Sequence, residues 1–89
     1  MPLFKLGKVV ATRAAMQFCE QNNINPLLLI GRHAGGDWGD LDAADVAANV
    51  QALEHDLRLF SSYKIGSGKV WVITEADRSA TTVLLPEDY

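Results

Sequence analysis

Leu57 to Glu75 reads "LRLFSSYKIGSGKVWVITE", and this stretch decides the fold. Upstream of it apolar residues recur at helical spacing; from Leu57 they alternate and become β-branched and aromatic. Two such runs joined by Gly66-Ser67-Gly68 specify a β-hairpin. A symmetric closure about the glycines sets Tyr63 opposite Trp71 and Ser61 opposite Ile73. Leu57, Leu59, Tyr63, Ile65, Trp71 and Ile73 then share the face expected to cover the helices. The other face carries Arg58, Ser62, Lys64 and Thr74 around Phe60, Val70 and Val72, and it is where cations and hydroxyls gather. "ADRSA" makes a second turn, and "TTVLL" a third strand before Pro86.

Working back from the hairpin, Asp42 caps a helix with Asp45 three residues on and Leu41 placed to pack on Val46. This helix runs to about Glu54 with Val46, Val50 and Leu53 inward. Asn25-Pro26 opens another, in which Leu27, Ile30 and Ala34 share a face and Gly35-Gly36 make the stop. Thr12 caps a first helix over Arg13 to Gln21, with Ala15, Phe18, Cys19 and Asn22 on one side. Before it, "LFKLGKVVAT" suits a short strand or extended arm. The expected architecture is α+β: three N-terminal helices packed on a C-terminal three-stranded antiparallel meander, with a short N-terminal strand, as a single domain over residues 1–89.

Composition limits the function classes. The 89 residues carry a net charge of -3, and 48% are hydrophobic, as in a folded globular domain. The acidic balance disfavours a nucleic-acid partner unless a local basic patch opposes it. One cysteine, Cys19, excludes an internal disulfide framework and reads as a buried apolar residue. The apolar run Leu27 to Ile30 is far too short to span a bilayer, and "MPLFKLGKVV" lacks the features of a signal peptide, so no membrane partner and a cytoplasmic location are expected.

Gly31 to Asp42, "GRHAGGDWGDLD", is the densest cluster of unusual residues. The glycines and Leu41-Asp42 have local duties in ending one helix and starting the next. Arg32, His33, Asp37, Trp38 and Asp40 are left over. In a functional reading they gather at the mouth of a pocket, with His33 as acid or base and an aspartate orienting it. In a structural reading Trp38 is an apolar plug and the aspartates make turns. The glycines are not followed by Lys-Ser/Thr and do not follow a strand, so neither a P-loop nor a dinucleotide fingerprint is present. With one cysteine and two histidines, His33 and His55, far apart in different elements, the chain does not suit zinc. No metal or cofactor is expected. In "TEADRS", Glu75, Asp77 and Arg78 suit salt links and an Asx turn, and with Arg58 they complete the candidate binding residues.

With "RHAGGDWGDLDAAD", "SSYKI" and "VWVITEADRSATTVLLPEDY" in view, the chain resembles a family of short bacterial proteins encoded on plasmids and other mobile elements. The resemblance covers nearly the whole chain from Leu3. Such proteins are labelled plasmid-related protein or subunit M of a type I restriction endonuclease. The second label implies a methyltransferase, but the chain is too short for that fold and has no glycine-rich cofactor loop after a strand.

The expected function is therefore a non-enzymatic accessory or protein-binding module of a mobile element, acting on a protein partner or as a homodimer, through a free strand edge or an exposed aromatic. The alternative is a small metal-independent ribonuclease, since helices followed by a meander is also the layout of the barnase and RelE type. It would draw base, acid and phosphate-binding groups from His33, Arg58, Tyr63 and Lys64.

Overall fold

The computed structural model describes residues 2–89. Its elements are β1 (Lys8–Ala11), α1 (Arg13–Gln21), α2 (Pro26–Ala34), α3 (Ala43–His55), β2 (Leu59–Ile65), β3 (Gly68–Thr74) and β4 (Ala80–Leu84), followed by a 3-10 turn at Pro86–Asp88. The class is α+β. The expected helix caps form: side-chain oxygens of Thr12, Asn25 and Asp42 accept from the amides of Ala15, Leu27 and Asp45. Each satisfies an amide that the helix itself leaves unpaired.

The sheet has four strands in the order β1-β4-β3-β2. The meander β2-β3-β4 is antiparallel, as expected, but the N-terminal strand joins it and runs parallel to β4, which makes the sheet mixed. The Lys8 amide donates to the Ser79 carbonyl at 3.0 Å and the Thr12 amide to the Val83 carbonyl at 2.9 Å. Gly7 enters this pairing at φ 65°, so close to the Arg78-Ser79 backbone that a Cβ would collide with it.

The hairpin register differs by one residue from the symmetric closure. Gly66 and Ser67 alone form the turn, with Gly66 at φ 58° in the first central position, where a type II′ turn needs glycine. Tyr63 therefore pairs with Val70, and Ser61 with Val72. A slip of one residue exchanges the faces of a strand. On β2 the inward residues are Leu59, Ser61, Tyr63 and Ile65, as expected; on β3 they are Val70, Val72 and Thr74, whereas Trp71 and Ile73 turn to the other face. There Trp71 meets the rings of Phe60 and Tyr89 edge-on.

The core lies between the sheet and two helices: Ala15, Cys19, Leu29 and Ile30 pack on Tyr63, Ile65, Val70, Val72 and Val83. Burial raises the Cys19 thiol above its ordinary pKa. Two helix faces depart from expectation. In α2 the buried residues are Leu29, Ile30, His33 and Ala34, while Leu27 is 67% exposed. In α3 they are Asn49 and Ala52, and Val46 and Val50 face outward. Asn49 explains the second departure, because its side-chain amide donates to the Phe60 carbonyl at 2.7 Å and accepts from the Phe60 amide at 3.1 Å. The amide behaves as a one-residue strand on the edge of β2. That pair of hydrogen bonds sets the rotation of the helix so that a polar residue, not the valines, points inward.

Candidate functional site

The chain after α2 is shaped by its glycines. Gly36 turns at φ 88° and Gly39 at φ 73°, and between them Asp37 and Trp38 run beside β2. The Ser62 amide donates to the Trp38 carbonyl at 3.1 Å, and the Asp40 amide to the Ser62 carbonyl at 2.6 Å. A Cβ on Gly39 would collide with the Ser62 carbonyl, so this approach requires glycine. The "GDWGD" loop is thus pinned to the sheet as an added edge segment.

Five of the candidate residues meet at this edge. Arg32 Nε lies 2.7 Å from Asp37 Oδ2, its guanidinium sits 4.5 Å from the centre of the Tyr63 ring, and the Tyr63 hydroxyl donates to the Asp37 carbonyl at 2.7 Å. Lys64 Nζ stands 4.0 Å from Asp40. Together with Gly39 they line a polar pocket of about 300 Å³. The hydrogen bond from Arg32 holds Asp37 below its ordinary pKa and raises that of Arg32. Burial pushes the Tyr63 hydroxyl up to about 12, which removes it as an acid or base near neutrality. Every charged group here is already paired.

His33 is elsewhere. It is fully enclosed rather than at a pocket mouth, between the rings of Phe4 and Trp38, which meet it edge-on at 5.3 and 5.7 Å. Its Nδ1 is 2.5 Å from Ser61 Oγ, and its Nε2 is 2.9 Å from Thr74 Oγ1. Thr74 Oγ1 is 2.7 Å from Thr81 Oγ1, and Thr81 donates to the Leu6 carbonyl at 2.7 Å. That last carbonyl can only accept, so the chain has one direction. Thr81 must accept from Thr74, Thr74 from His33 Nε2–H, and His33 Nδ1 from the Ser61 hydroxyl. A neutral imidazole with its proton on Nε2 satisfies every member. Burial lowers its pKa from 6.5 to about 4. The network ties α2, β2, β3, β4 and the segment before β1 into one polar spine.

The remaining candidates sit at the far end of the sheet. Arg78, at φ 61°, gives its guanidinium to the carbonyls of Leu57 and Ala52 at 2.6 and 2.9 Å, so it ties the end of α3 to the last turn. Asp77 accepts from the Ser79 amide at 3.0 Å, an Asx turn, and Glu75 is exposed. Arg58 donates to the Tyr89 hydroxyl. The ribonuclease set does not converge: Tyr63 and Lys64 reach the same edge pocket, but Arg58 is bonded to Tyr89 elsewhere and His33 is enclosed beneath Ser61.

A different surface is open. Beside β1 lies an apolar groove of about 520 Å³, lined by Val9, Val10, Ala11, Met16, Leu27 and Ile30 among others. Met16 is 50% exposed and Leu28, on the adjoining turn of α2, 61%. All four β1 residues are exposed, and their outer edge has no neighbour among the described residues. The Lys8 and Thr12 amides point to β4, so by the alternation of a parallel ladder Val9 and Ala11 carry their N–H and C=O groups outward.

Sequence reasoning missed this groove and the hydroxyl partners of His33. One signal for the groove was present. Residues 1–36 hold four lysines and arginines against one acid, Glu20, while residues 37–89 hold four against ten acids. The chain before Asp37 is therefore basic, and all the groove's lining residues but Val83 belong to it. No family model, no curated protein and no solved structure matches the chain. Among the described residues no helix is long and apolar enough to cross a membrane.

Proposed function

We propose that this protein is a small non-enzymatic protein-binding module, an accessory protein of a bacterial mobile element in keeping with the resemblance drawn above. It takes a segment of a partner protein on the open edge of β1 and the apolar groove beside it. The observation that carries this reading is the coincidence of an unpaired strand edge with Val9, Val10, Met16, Leu27 and Leu28, all exposed, in so small a domain. A strand edge supplies main-chain hydrogen bonds and a flanking groove supplies side-chain selectivity, which is the mode of strand addition. The other sheet edge is blunted by Asn49 and the Trp38–Asp40 segment, so recognition of this kind has one place to occur. The side chains that chemistry would draw on support a non-enzymatic role, because His33, Tyr63, Arg78 and Asp37 are each held in structural bonds. The test is recovery of partners from a host carrying the element, with wild type and Leu27→Asp compared side by side. A protein bound by wild type and lost with the variant supports the groove; equal recovery with both refutes it.

A further inference from the structure

We propose that the open edge of β1 is filled by β1 of a second copy of this chain, antiparallel about a two-fold axis at Val10, so that the two sheets continue into one. The proposal rests on the β1 edge and its groove being a recognition surface and adds what occupies them. Val9 and Ala11 carry their N–H and C=O groups outward, and an antiparallel neighbour takes such groups in reciprocal pairs. The register follows. Val9 of each copy exchanges both of its bonds with Ala11 of the other, Val10 faces its own counterpart across the axis, and Lys8 stands opposite Thr12 of the second copy.

Charge favours this direction. Lys8 is exposed at the start of β1, and just past its end the Thr12 hydroxyl donates to the carboxylate of Asp88, which stands beside Glu87. The cation and the acids are thus at opposite ends of the strand, roughly 13 Å apart at the rise of an extended chain. Among the described residues Lys8, Glu87 and Asp88 make no ion pair. Faces agree as well. Lys8, Val10 and Thr12 alternate onto one side; Val10 is in register with Thr82 and Thr82 with Ile73, on the face of Trp71, where Tyr89 packs. The C-terminal turn and Lys8 therefore lie on the same side of the sheet. An antiparallel copy brings Lys8 to the Thr12–Asp88 pair of its neighbour at both ends of the ladder. Arg13 adds a second cation at each end and Glu87 a second acid, so the charges balance. A parallel copy would set Lys8 on Lys8 and Asp88 on Asp88, and like charges oppose contact.

The same arrangement covers apolar surface. Val10, 38% exposed, meets its counterpart as a β-branched cross-strand pair. On the helix side Val9, Met16 and Leu27, all exposed along the groove, come to face the groove of the other copy. Such a contact is isologous and closes at the dimer. The few residues on each side place it in the small, weak class, with electrostatics contributing much of its specificity.

Sedimentation velocity on the purified chain between about 10 and 500 µM tests this. Wild type is expected to rise to the mass of a dimer and no further, and to fall back in high salt. Lys8→Glu sets like charges across both ends of the ladder and should weaken association by about tenfold or more. Glu87→Lys should weaken it less, and an equimolar mixture of the two variants should associate more tightly than either alone. Both positions are exposed, so folding survives and thermal melts verify it. Crosslinking reads the register. Val10→Cys sets two thiols across the axis on Cα atoms roughly 4.5 Å apart, within the span of a disulfide, whereas Val9→Cys sets them roughly 7 to 8 Å apart, beyond it. With Cys19 buried, oxidation by diamide should link the first variant and leave the second unlinked. Wild type that stays monomeric overturns the inference, as do a mass that grows past the dimer, Lys8→Glu associating like wild type, a mixture no tighter than its parts, or a link through Val9→Cys in place of Val10→Cys. If wild type is monomeric while Leu27→Asp still loses a host protein, the groove stands as a recognition surface and a second copy is excluded as its occupant.

Discussion

Acidification should weaken this protein through one residue, His33. The imidazole is fully enclosed, and its neutral form already satisfies both hydrogen-bonding neighbours, so a proton on Nδ1 would bury a charge and face it with the Ser61 hydroxyl that now donates to it. The folded state binds this proton with a pKa of about 4, the unfolded chain with 6.5. Above pH 6.5 neither state holds the proton and stability is at its full value. As pH falls the unfolded chain is protonated first, and stability drops until about pH 4, where the folded state also takes the proton. Integrated over that window, the gap is worth about 3 kcal/mol, with a steepest slope of about 1.4 kcal/mol per pH unit. Asp37, Asp77 and Asp88, which hydrogen bonds hold below their ordinary values, lose their contributions at more acid pH, so the window isolates the histidine. Urea unfolding followed by tryptophan fluorescence at pH 7, 6, 5 and 4.5 is the assay, and His33→Gln is the control, less stable throughout but flat across the window. Equal stability at pH 6.5 and 4.5, or the same slope in His33→Gln, would refute the assignment of an enclosed neutral imidazole.

Two further outcomes concern the edge of β2. Asn49→Ala leaves both polar groups of Phe60 without their partner and should cost about 2 kcal/mol, lowering the melting temperature by roughly 8 to 16 °C; Val50→Ala, one residue on and exposed, should move it by less than about 4 °C. Trp38→Ala removes a half-buried ring that stacks on Phe4 and closes over His33, and should cost about 2 kcal/mol by thermal melt; an unchanged melting temperature would mean that the ring contributes nothing to the seal.

Local signals in the chain proved readable wherever one residue decides one bond. Thr12, Asn25 and Asp42 cap their helices because a short side-chain oxygen at that position has few alternatives. Gly36 and Gly39 likewise sit where the turn after the helix and the close approach to β2 demand them, whereas Gly31 lies within α2 with open space beside it. Long-range competition was not readable. A hairpin of the same residues closes with a two- or three-residue turn, and nothing local tells Trp71 which face it will take. The valines of α3 fit a core by periodicity, but the Asn49 bond to a strand eleven residues away overrides it. The gathering of Arg32, Asp37, Asp40, Tyr63 and Lys64 was half legible: the first three share a loop, whereas the last two arrive only through the bridge between Gly39 and Ser62. For β1, four residues of modest alternation carry no sign of a partner at the other end of the chain.

That partner has a consequence for how the molecule comes into being. The bonds Thr81 to Leu6 and Thr12 to Asp88 join residues 75 and 76 positions apart, and β1 has no sheet to join until β4 exists. A ribosome releases a chain from N- to C-terminus, so Val9, Val10, Met16 and Leu27 emerge before β4 and wait, uncovered, for it to be made. β1 cannot join the sheet before β4 is made, and contacts of such long sequence separation form slowly because loop closure precedes any gain from pairing. The surface assigned here to recognition is therefore also the one most at risk of aberrant contact during synthesis. A chaperone that grips short apolar segments would find its target between Val9 and Leu28.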